Sequence, residues 1–151
     1  MPQSLANLLV HLVFSTKDRR SHLQYRELRD PMHRYLAGIS AKLECPAIIV
    51  GGAEDHVHLL ARLARTIALA DWIKELKRAS SLWAKTKDPQ WGLFQWQAGY
   101  GAFSVSQSQS AQVQRYIESQ EEHHRRLSFQ DELRGLFRRH NIAFDERYVW
   151  D

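Results

Sequence analysis

The alternation of apolar and polar residues divides the first half of the chain into strands and a helix. An apolar stretch over residues 5–15, followed by five polar residues, predicts a first strand. Between residues 24 and 43 the apolar residues recur at helical spacing, which predicts a helix. A short apolar strand at residues 47–50 and the turn Gly51-Gly52 then lead into a third strand, which runs to residue 63.

The middle of the chain predicts a second helix and a fourth strand. The helix begins at Thr66 or Ala68 and extends to about residue 87, because Asp88-Pro89 ends it. Residues 94–106 contain several aromatic side chains and predict a strand or a hairpin. Glycines at positions 99 and 101 indicate a bulge or a close approach of two backbones.

The C-terminal part predicts two helices, one over residues 108–125 and one from Ser128 to about residue 139, with Ser128 and Asp131 resembling a capping box. The first six elements, in the order strand, helix, strand, strand, helix, strand, match the split βαβ pattern of ferredoxin-like folds. We therefore predict an α+β fold: an antiparallel sheet with helices on one face, the first and third strands at its centre, and additional C-terminal helices.

Two histidines in the third predicted strand, His56 and His58, are the strongest candidate for a chemical site. Side chains two residues apart on a strand point to the same face of the sheet. Two imidazoles on one face of a rigid strand form a plausible half of a metal site. The alternative is a pair of histidines that only make hydrogen bonds, and the His-x-His pattern alone leaves that alternative open. Asp55 and Glu54 are either partners that orient an imidazole or ordinary turn residues.

Tyr116 and Gln120 stand four residues apart in a predicted helix and therefore share one face. Tyr116 is either an aromatic residue at the edge of the core or a nucleophile that a nearby divalent metal assists. Gln120 offers a carbonyl oxygen as a third ligand beside two imidazoles, a neutral set suited to Mg²⁺ or Mn²⁺ bridging to a phosphate. The adjacent pair His123-His124 diverges around a helix, so we interpret it as a solvated or phosphate-facing end.

Length, charge and cysteine content restrict the kinds of protein that this chain can be. The 151 residues show no repeat, low-complexity tract or linker, and we predict one domain over residues 1–151. A net charge of +4 and a pI near 9.4 are compatible with a nucleic-acid partner and equally with a solvated basic surface. Cys45 is the only cysteine, which excludes an internal disulfide and fits a reducing, cytoplasmic location. No apolar run is long enough to span a membrane.

Two groups of basic residues are candidates for contacts with DNA phosphates. One follows the first predicted strand and the other lines the polar side of the second predicted helix. Trp83 and Tyr100 are candidates for stacking on a base. A solvated surface explains the basic side chains equally well. The predicted DNA-binding residues are Lys17, Arg19, Arg20, Lys74, Lys77 and Arg78.

Four segments in this order resemble one protein family over nearly the whole chain. The sequence His56-Val57-His58 resembles the motif of histidine, hydrophobic residue, histidine found in single-tyrosine transposases of small bacterial insertion sequences and in the related REP-associated tyrosine transposases. Residues 11–17 are similar to the family's opening, and residues 96–106 to the strand before its nucleophile helix. Residues 116–120 resemble that helix, which is a C-terminal one, with Tyr116 at the nucleophile position and Gln120 at the third-ligand position.

The resemblance implies a specific activity. Such enzymes bind single-stranded DNA, usually at hairpin ends, and their tyrosine attacks a backbone phosphate to give a 5′-phosphotyrosine link and a free 3′-hydroxyl. Carried over to this chain, Tyr116 is the nucleophile, and His56, His58 and Gln120 hold Mg²⁺ or Mn²⁺. Members from insertion sequences are homodimers in which the tyrosine helix can complete the partner's site. The resemblance thus implies a mobile-element or domesticated enzyme. The polar residues 104–114 are either a hinge for such an exchange or an ordinary surface loop and helix cap.

Two other functions are compatible with the same residues. A noncatalytic protein that binds single-stranded nucleic acid would keep the basic surface and would tolerate the loss of Tyr116 and the histidines. A small metal-dependent phosphodiester hydrolase would use the histidine pair to activate water and would form no covalent adduct. The presence of the complete set, His56, His58, Gln120 and Tyr116, favours the transposase.

Overall fold

A four-stranded antiparallel sheet forms the centre of the protein. The structure is a computed structural model and describes residues 2–124 and 126–151. The elements, in chain order, are β1 (Leu9–Ser15), α1 (Arg26–Lys42), β2 (Ala47–Gly52), β3 (His56–Arg62), α2 (Leu69–Lys87), β4 (Gly101–Val105), α3 (Ser110–Glu118), α4 (Gln120–His123) and α5 (Phe129–Arg139).

The strand order β2-β3-β1-β4 confirms the predicted ferredoxin-like arrangement, with the first and third strands adjacent at the centre. In the antiparallel pairing of β1 with β3, Val13 lies opposite His58 and Ser15 lies opposite His56. Because both strands are bordered on each side by another strand, the histidine backbone is held by hydrogen bonds on two edges. The sheet therefore provides a rigid base for the candidate site.

The two faces of the sheet carry different layers of helices because side chains alternate along each strand. On one face Leu12, Phe14 and Leu59 form the main core with α1 and α2. On the other face the C-terminal helices supply the apolar partners. Val13 packs with residues of α5, and Leu9 and Leu60 pack with Ile117 of α3. The histidines of β3 lie on this second face, between the sheet and the C-terminal helices.

Two glycines allow the C-terminal helices to approach the sheet closely. A Cβ atom at Gly51 of β2 would lie 2.8 Å from the backbone oxygen of Ile117, and one at Gly101 of β4 would lie 2.9 Å from the Leu133 side chain. Either distance is too short for a carbon contact, so these positions favour glycine. The contact at Gly101 is with a side chain; the predicted close approach of two backbones lies at Gly99, whose amide donates to the Asp151 carbonyl at 2.8 Å. The contacts at Gly51 and Gly101 fix how far α3 and α5 stand from the sheet.

Two predicted elements differ most from the structure. The fourth strand is shorter than predicted, covering only residues 101–105, although Trp96 forms an isolated bridge with Thr16. The helix predicted over residues 108–125 is broken, since α3 ends before Ser119 and α4 is a separate short helix. Its predicted last residue, Arg125, lies outside the described residues. Among the described helices, none combines the length and apolar character that a membrane crossing requires.

Candidate metal and nucleophile site

The side chains of His56 and His58 lie on the same face of β3, as predicted, and both are fully buried. Their ring centroids are 5.0 Å apart. The Nε2 atoms of both rings point toward α4 and α5, where they meet polar partners rather than apolar side chains. Burying two imidazoles without partners would be costly, so the surrounding groups define the site.

Tyr116 and Gln120 lie on the C-terminal helices that cover the histidine face of the sheet, and their side chains contact the two histidines. Gln120 Oε1 lies 3.1 Å from His56 Nε2, and the Tyr116 ring centroid is 5.8 Å from that of His58. The break at Ser119 separates the two residues into α3 and α4, but they remain one turn apart. The structure thus brings together all four residues that the sequence singled out.

Glu132, which the sequence analysis did not identify, lies at the centre of this group. It extends from the first turn of α5 and is almost completely buried. Its Oε1 accepts a hydrogen bond from His58 Nε2 at 3.0 Å and lies 3.4 Å from His56 Nε2. Its Oε2 accepts hydrogen bonds from the Tyr116 hydroxyl and from Gln120 Nε2. One carboxylate therefore links the histidine pair to the tyrosine.

His124 also belongs to this group, so our interpretation of the pair His123-His124 as a solvated or phosphate-facing end is wrong for the second residue. The end of α4 turns the His124 ring inward, where its Nε2 is 3.1 Å from Gln120 Oε1 and 3.2 Å from Glu132 Oε1. Its ring centroid is 4.2 Å from that of His56. His123 is exposed, with its ring 5.0 Å from the Tyr116 ring.

The hydrogen-bond partners of His56 hold it in the cationic form. Its Nδ1 donates to Asp55 at 2.7 Å, and its Nε2 faces Gln120 Oε1 and Glu132, so both ring nitrogens face acceptors. Burial alone would lower the pKa of His56, but the hydrogen bonds to Asp55 and Glu132 outweigh it and raise the pKa to about 9. Asp55 is therefore the orienting partner that the sequence suggested as one possibility.

The pKa values of the other groups in the site are shifted by burial and by neighbouring charges. Burial, only partly offset by Glu132, lowers the pKa of His58 to about 4. Burial would raise the pKa of Glu132, but hydrogen bonds from His124, His56 and His58 hold it well below its usual range. Burial and the negative charge of Glu132 raise the pKa of Tyr116. In this arrangement the carboxylate is charged and the tyrosine is protonated.

These shifts predict a stability optimum near pH 6.5 when the protein is kept free of metal. The folded-state pKa of His56, about 9, lies above its unfolded value of 6.5, so its contribution is complete below pH 6.5 and is lost as the pH rises through 9. That loss is about 3 kcal/mol. On the acid side the folded pKa of His58 is about 4, and stability falls as the pH drops from 6.5 toward 4.

Chemical denaturation in a chelating buffer between pH 4 and 10 measures this profile. The variant His56→Gln should lose the decline above pH 6.5 and keep the acid-side decline. An alkaline decline that is unchanged in this variant would show that His56 is not held as a cation.

The donor set fits a divalent metal. The Nε or Nδ atoms of His56 and His58 and a carboxylate oxygen of Glu132 all lie within 4.8 Å of one another and are buried. Two imidazoles and one oxygen ligand form a common set for divalent ions in proteins. Gln120 Oε1 is a second candidate for the oxygen position, because it faces the same histidine nitrogen. The structure thus offers two oxygen donors where the sequence suggested one.

Basic side chains line two adjoining clefts at the end of β1, near the strand position opposite His56. The two clefts share Lys17 and Lys85. We call this surface the basic cleft; its cationic residues are Lys17, Arg20, Lys77, Arg78 and Lys85. Of the six predicted DNA-binding residues, four therefore lie on one surface. Arg19 and Lys74 are not among the residues that line it.

Two residues of the basic cleft already have partners in the protein. Lys77 Nζ donates to the carbonyls of Gln97 and Gly99 at 2.9 and 2.6 Å, and burial lowers its pKa to about 8. Arg78 pairs with Glu75, with its Nε 2.9 Å from the carboxylate. Lys17, Arg20 and Lys85 are exposed.

The two aromatic candidates for base stacking differ in their surroundings. The Trp83 ring is stacked on Tyr35 with centroids 4.9 Å apart, so one of its faces is covered. Tyr100 is 39% exposed and has Lys77 Nζ 5.6 Å from its ring centroid. Tyr100 is therefore the better placed of the two.

Comparison with known proteins assigns this arrangement to a family. The sequence model described as "Transposase IS200 like" matches residues 4–120. The chain is 34% identical over 115 residues to the ISDra2 transposase TnpA of Deinococcus radiodurans, covering 73% of this chain and 81% of that protein.

Two solved structures share the fold. A crystal structure of a transposase from Deinococcus radiodurans superposes with a TM-score of 0.62 at 29% identity, covering 80% of this chain and 96% of the other. A REP-associated tyrosine transposase bound to a REP hairpin superposes with a TM-score of 0.53, covering 80% of this chain and 68% of the other; at 11% identity, it supports the fold alone. From the family match and the relative above 30% identity, we conclude that this chain belongs to the IS200-like transposase family.

Proposed function

We propose that the protein cleaves and rejoins single-stranded DNA through a covalent 5′-phosphotyrosine link formed by Tyr116. The observation that carries this proposal is the position of the Tyr116 hydroxyl, which shares the Glu132 carboxylate with the buried histidine pair. A tyrosine at the edge of the core would place its hydroxyl in water. Here the hydroxyl instead lies beside a group of side chains suited to hold a metal and a phosphate.

In the proposed reaction the Tyr116 oxygen attacks a backbone phosphorus in line with the 3′-oxygen that leaves. The oxygen–phosphorus bond to tyrosine forms while the bond from phosphorus to the 3′-oxygen breaks. The phenol proton departs as the new bond forms, and Glu132 Oε2 is the nearest acceptor in the structure. The 3′-oxygen takes a proton from water and becomes a free 3′-hydroxyl. In the rejoining step a 3′-hydroxyl attacks a phosphotyrosine and gives up its proton, the bond from phosphorus to the tyrosine oxygen breaks, and that oxygen takes up a proton.

His56 and His58 would hold the divalent metal through nitrogen, and Gln120 or Glu132 would supply oxygen. Mg²⁺ or Mn²⁺ bound there would polarise the scissile phosphate and neutralise the charge that develops on it. The protein's own contribution is positional: β3 fixes the histidines, and Glu132 directs the tyrosine hydroxyl toward them. Cleavage supported by Mg²⁺ or Mn²⁺ and abolished by chelation is the expected result.

We further propose that the substrate is a single strand with hairpin ends, as membership of this transposase family suggests; the REP-associated tyrosine transposase of the same fold is bound to a REP hairpin. The proposed working unit is a homodimer whose subunits each comprise a single domain over residues 1–151. Within the described chain, Tyr116 reaches the histidines of its own subunit. In this arrangement the site is built from one subunit, whereas a dimer that exchanges its tyrosine helices would pair the tyrosine of one subunit with the histidines of the other.

The basic cleft is the proposed path of the DNA backbone toward the site. Replacing both Lys17 and Arg20 by glutamine should weaken binding of a single-stranded oligonucleotide and lower the slope of log K against log salt by about 1.4, since each phosphate contact on a single strand contributes about 0.7. Fluorescence anisotropy at several salt concentrations measures this slope. The control is Lys42→Gln, at the exposed C-terminal end of α1. An unchanged slope in the double variant would place the DNA elsewhere.

A covalent-trapping assay tests the central proposal. Labelled single-stranded DNA from the sequences that flank the gene is incubated with the protein and Mg²⁺ or Mn²⁺ and is run on a denaturing gel. A shifted protein–DNA band that requires metal supports tyrosine transesterification. Metal-dependent cleavage with no band, even on short time scales, would favour the phosphodiester hydrolase, and binding without cleavage of any flanking strand would favour the noncatalytic binder.

A further inference from the structure

His11 is a buried histidine that the proposed reaction does not use. It lies on β1, on the same face of the sheet as His58, and is 4% exposed. Its ring stacks on that of His58 with centroids 5.1 Å apart and an angle of 25° between the planes. Its Nε2 is 2.8 Å from His58 Nδ1. His58 is therefore held at both ring nitrogens, by His11 on one side and Glu132 on the other.

The hydrogen bonds around His58 determine where its proton lies in the metal-free structure. The ionised Glu132 carboxylate only accepts, so the proton of a neutral His58 is on Nε2, which donates to Glu132 Oε1 at 3.0 Å. His58 Nδ1 is then an acceptor. It follows that His11 carries its proton on Nε2 and donates it to His58.

A metal held by His58 would reverse this pattern. His58 Nε2 would offer the metal its lone pair, so the ring proton would have to lie on Nδ1. His58 then donates to His11 Nε2, which must have given up its own proton. The exchange balances: the Nε2 proton of His58 leaves, the Nε2 proton of His11 moves to His58 Nδ1, and His11 takes a proton from water on its own Nδ1.

We propose that His11 is the positioning residue of the metal site, orienting His58 and changing from hydrogen-bond donor to acceptor when a metal binds. This inference rests on the metal role in the proposed function. A carboxylate or a backbone carbonyl, the usual partner of a metal-binding histidine, can only accept and would suit the loaded state alone. An imidazole satisfies the buried His58 Nδ1 in both states and adds no charge to the site.

Two substitutions of His11 separate hydrogen bonding from packing. His11→Phe keeps an aromatic ring but offers no hydrogen bond, whereas His11→Gln provides an amide that can donate or accept. Titration with Mn²⁺ in the absence of DNA should give a Kd that is about 10- to 100-fold higher for His11→Phe. The Kd of His11→Gln for Mn²⁺ should remain within about threefold of that of the unmodified protein, a much smaller change than for His11→Phe. The control His22→Phe, which changes a histidine outside the group around Glu132, should leave the Kd unchanged.

Imidazole ¹⁵N shifts provide a readout that does not depend on activity or on the stability of a variant. In the ¹⁵N-labelled protein, His11 and His58 should both carry their proton on Nε2 in a chelating buffer. With saturating Mg²⁺, both should carry it on Nδ1. A His58 that stays protonated on Nε2 in Mg²⁺, or a His11→Phe variant that binds Mn²⁺ with unchanged Kd, would overturn the inference.

The two proposals fail in different ways. If the unmodified protein binds no Mn²⁺, the metal role fails, and the inference about His11 fails with it. If it binds Mn²⁺ and forms the covalent adduct while His11→Phe shows no loss of affinity, only the role of His11 is wrong.

Discussion

Tyr116→Phe is expected to reduce strand cleavage and covalent adduct formation by about 10³-fold or more, because the substitution removes only the nucleophilic oxygen. The aromatic ring would keep its contacts with His11 and His58, whose ring centroids lie 6.1 and 5.8 Å away. The Kd for single-stranded DNA should therefore stay within about twofold, a difference of under 0.5 kcal/mol. A denaturing gel with labelled DNA and Mn²⁺ measures the first effect, and fluorescence anisotropy measures the second.

A matched control is available in Tyr148→Phe. Tyr148 is 65% exposed and lies outside the group of side chains around Glu132, so the same chemical change there should leave the adduct unaltered. Cleavage by Tyr116→Phe at the unmodified rate would contradict the assignment of the nucleophile. If Tyr116→Phe raises the Kd for DNA by much more than twofold, the hydroxyl contributes to substrate binding instead.

The same variant separates the transposase from the metal-dependent hydrolase. A hydrolase would use the histidines to activate water and would retain most of its activity without the Tyr116 hydroxyl. The structure favours the transposase because the hydroxyl points into the site and is bonded to Glu132. In a hydrolase that position would be needed for the attacking water.

The parts of the site that could be predicted from the sequence are those fixed by the local geometry of a single element. Strand geometry places His56 and His58 on one face whatever surrounds them, and helix geometry keeps Tyr116 and Gln120 one turn apart. The order of elements was sufficient to predict that β1 and β3 are neighbours, because the ferredoxin-like topology puts them there. These predictions needed no information about how the layers pack.

Glu132 could not be predicted, because its position depends on how the C-terminal helices fold back. The residues around Glu132 indicate only an ordinary amphipathic helix. Ser128, which caps α5, indicates where this helix begins but not which surface the helix covers. His124, by contrast, stands four residues after Gln120, so helix geometry alone places the two side chains on one face, and the contact of His124 Nε2 with Gln120 Oε1 at 3.1 Å follows from that spacing. A buried carboxylate beside buried histidines becomes visible only in three dimensions.

His56→Ala should lower the affinity for Mn²⁺ and the yield of covalent adduct by at least about 100-fold, more than the loss of an outer partner costs. The fold should survive, since β3 is paired on both edges and the main core lies on the other face of the sheet. Metal titration, the gel assay and circular dichroism measure the three properties. Full adduct formation by His56→Ala in the presence of a chelator would contradict any metal role for this residue.

Comparing His56→Ala with the unmodified protein in a chelating buffer separates the contribution of His56 to metal binding from its contribution to stability. Chelation removes the metal but leaves the imidazolium between Asp55 and Glu132, so activity should match that of His56→Ala while stability at pH 6.5 stays higher. The variant leaves two carboxylates without their shared cation, a loss that we expect to be about 3 kcal/mol, as for the alkaline decline. Equal stability of the two samples would mean that His56 acts on the metal alone. A difference of the expected size would mean that the same nitrogen atoms stabilise the fold as hydrogen-bond donors until a metal displaces the proton.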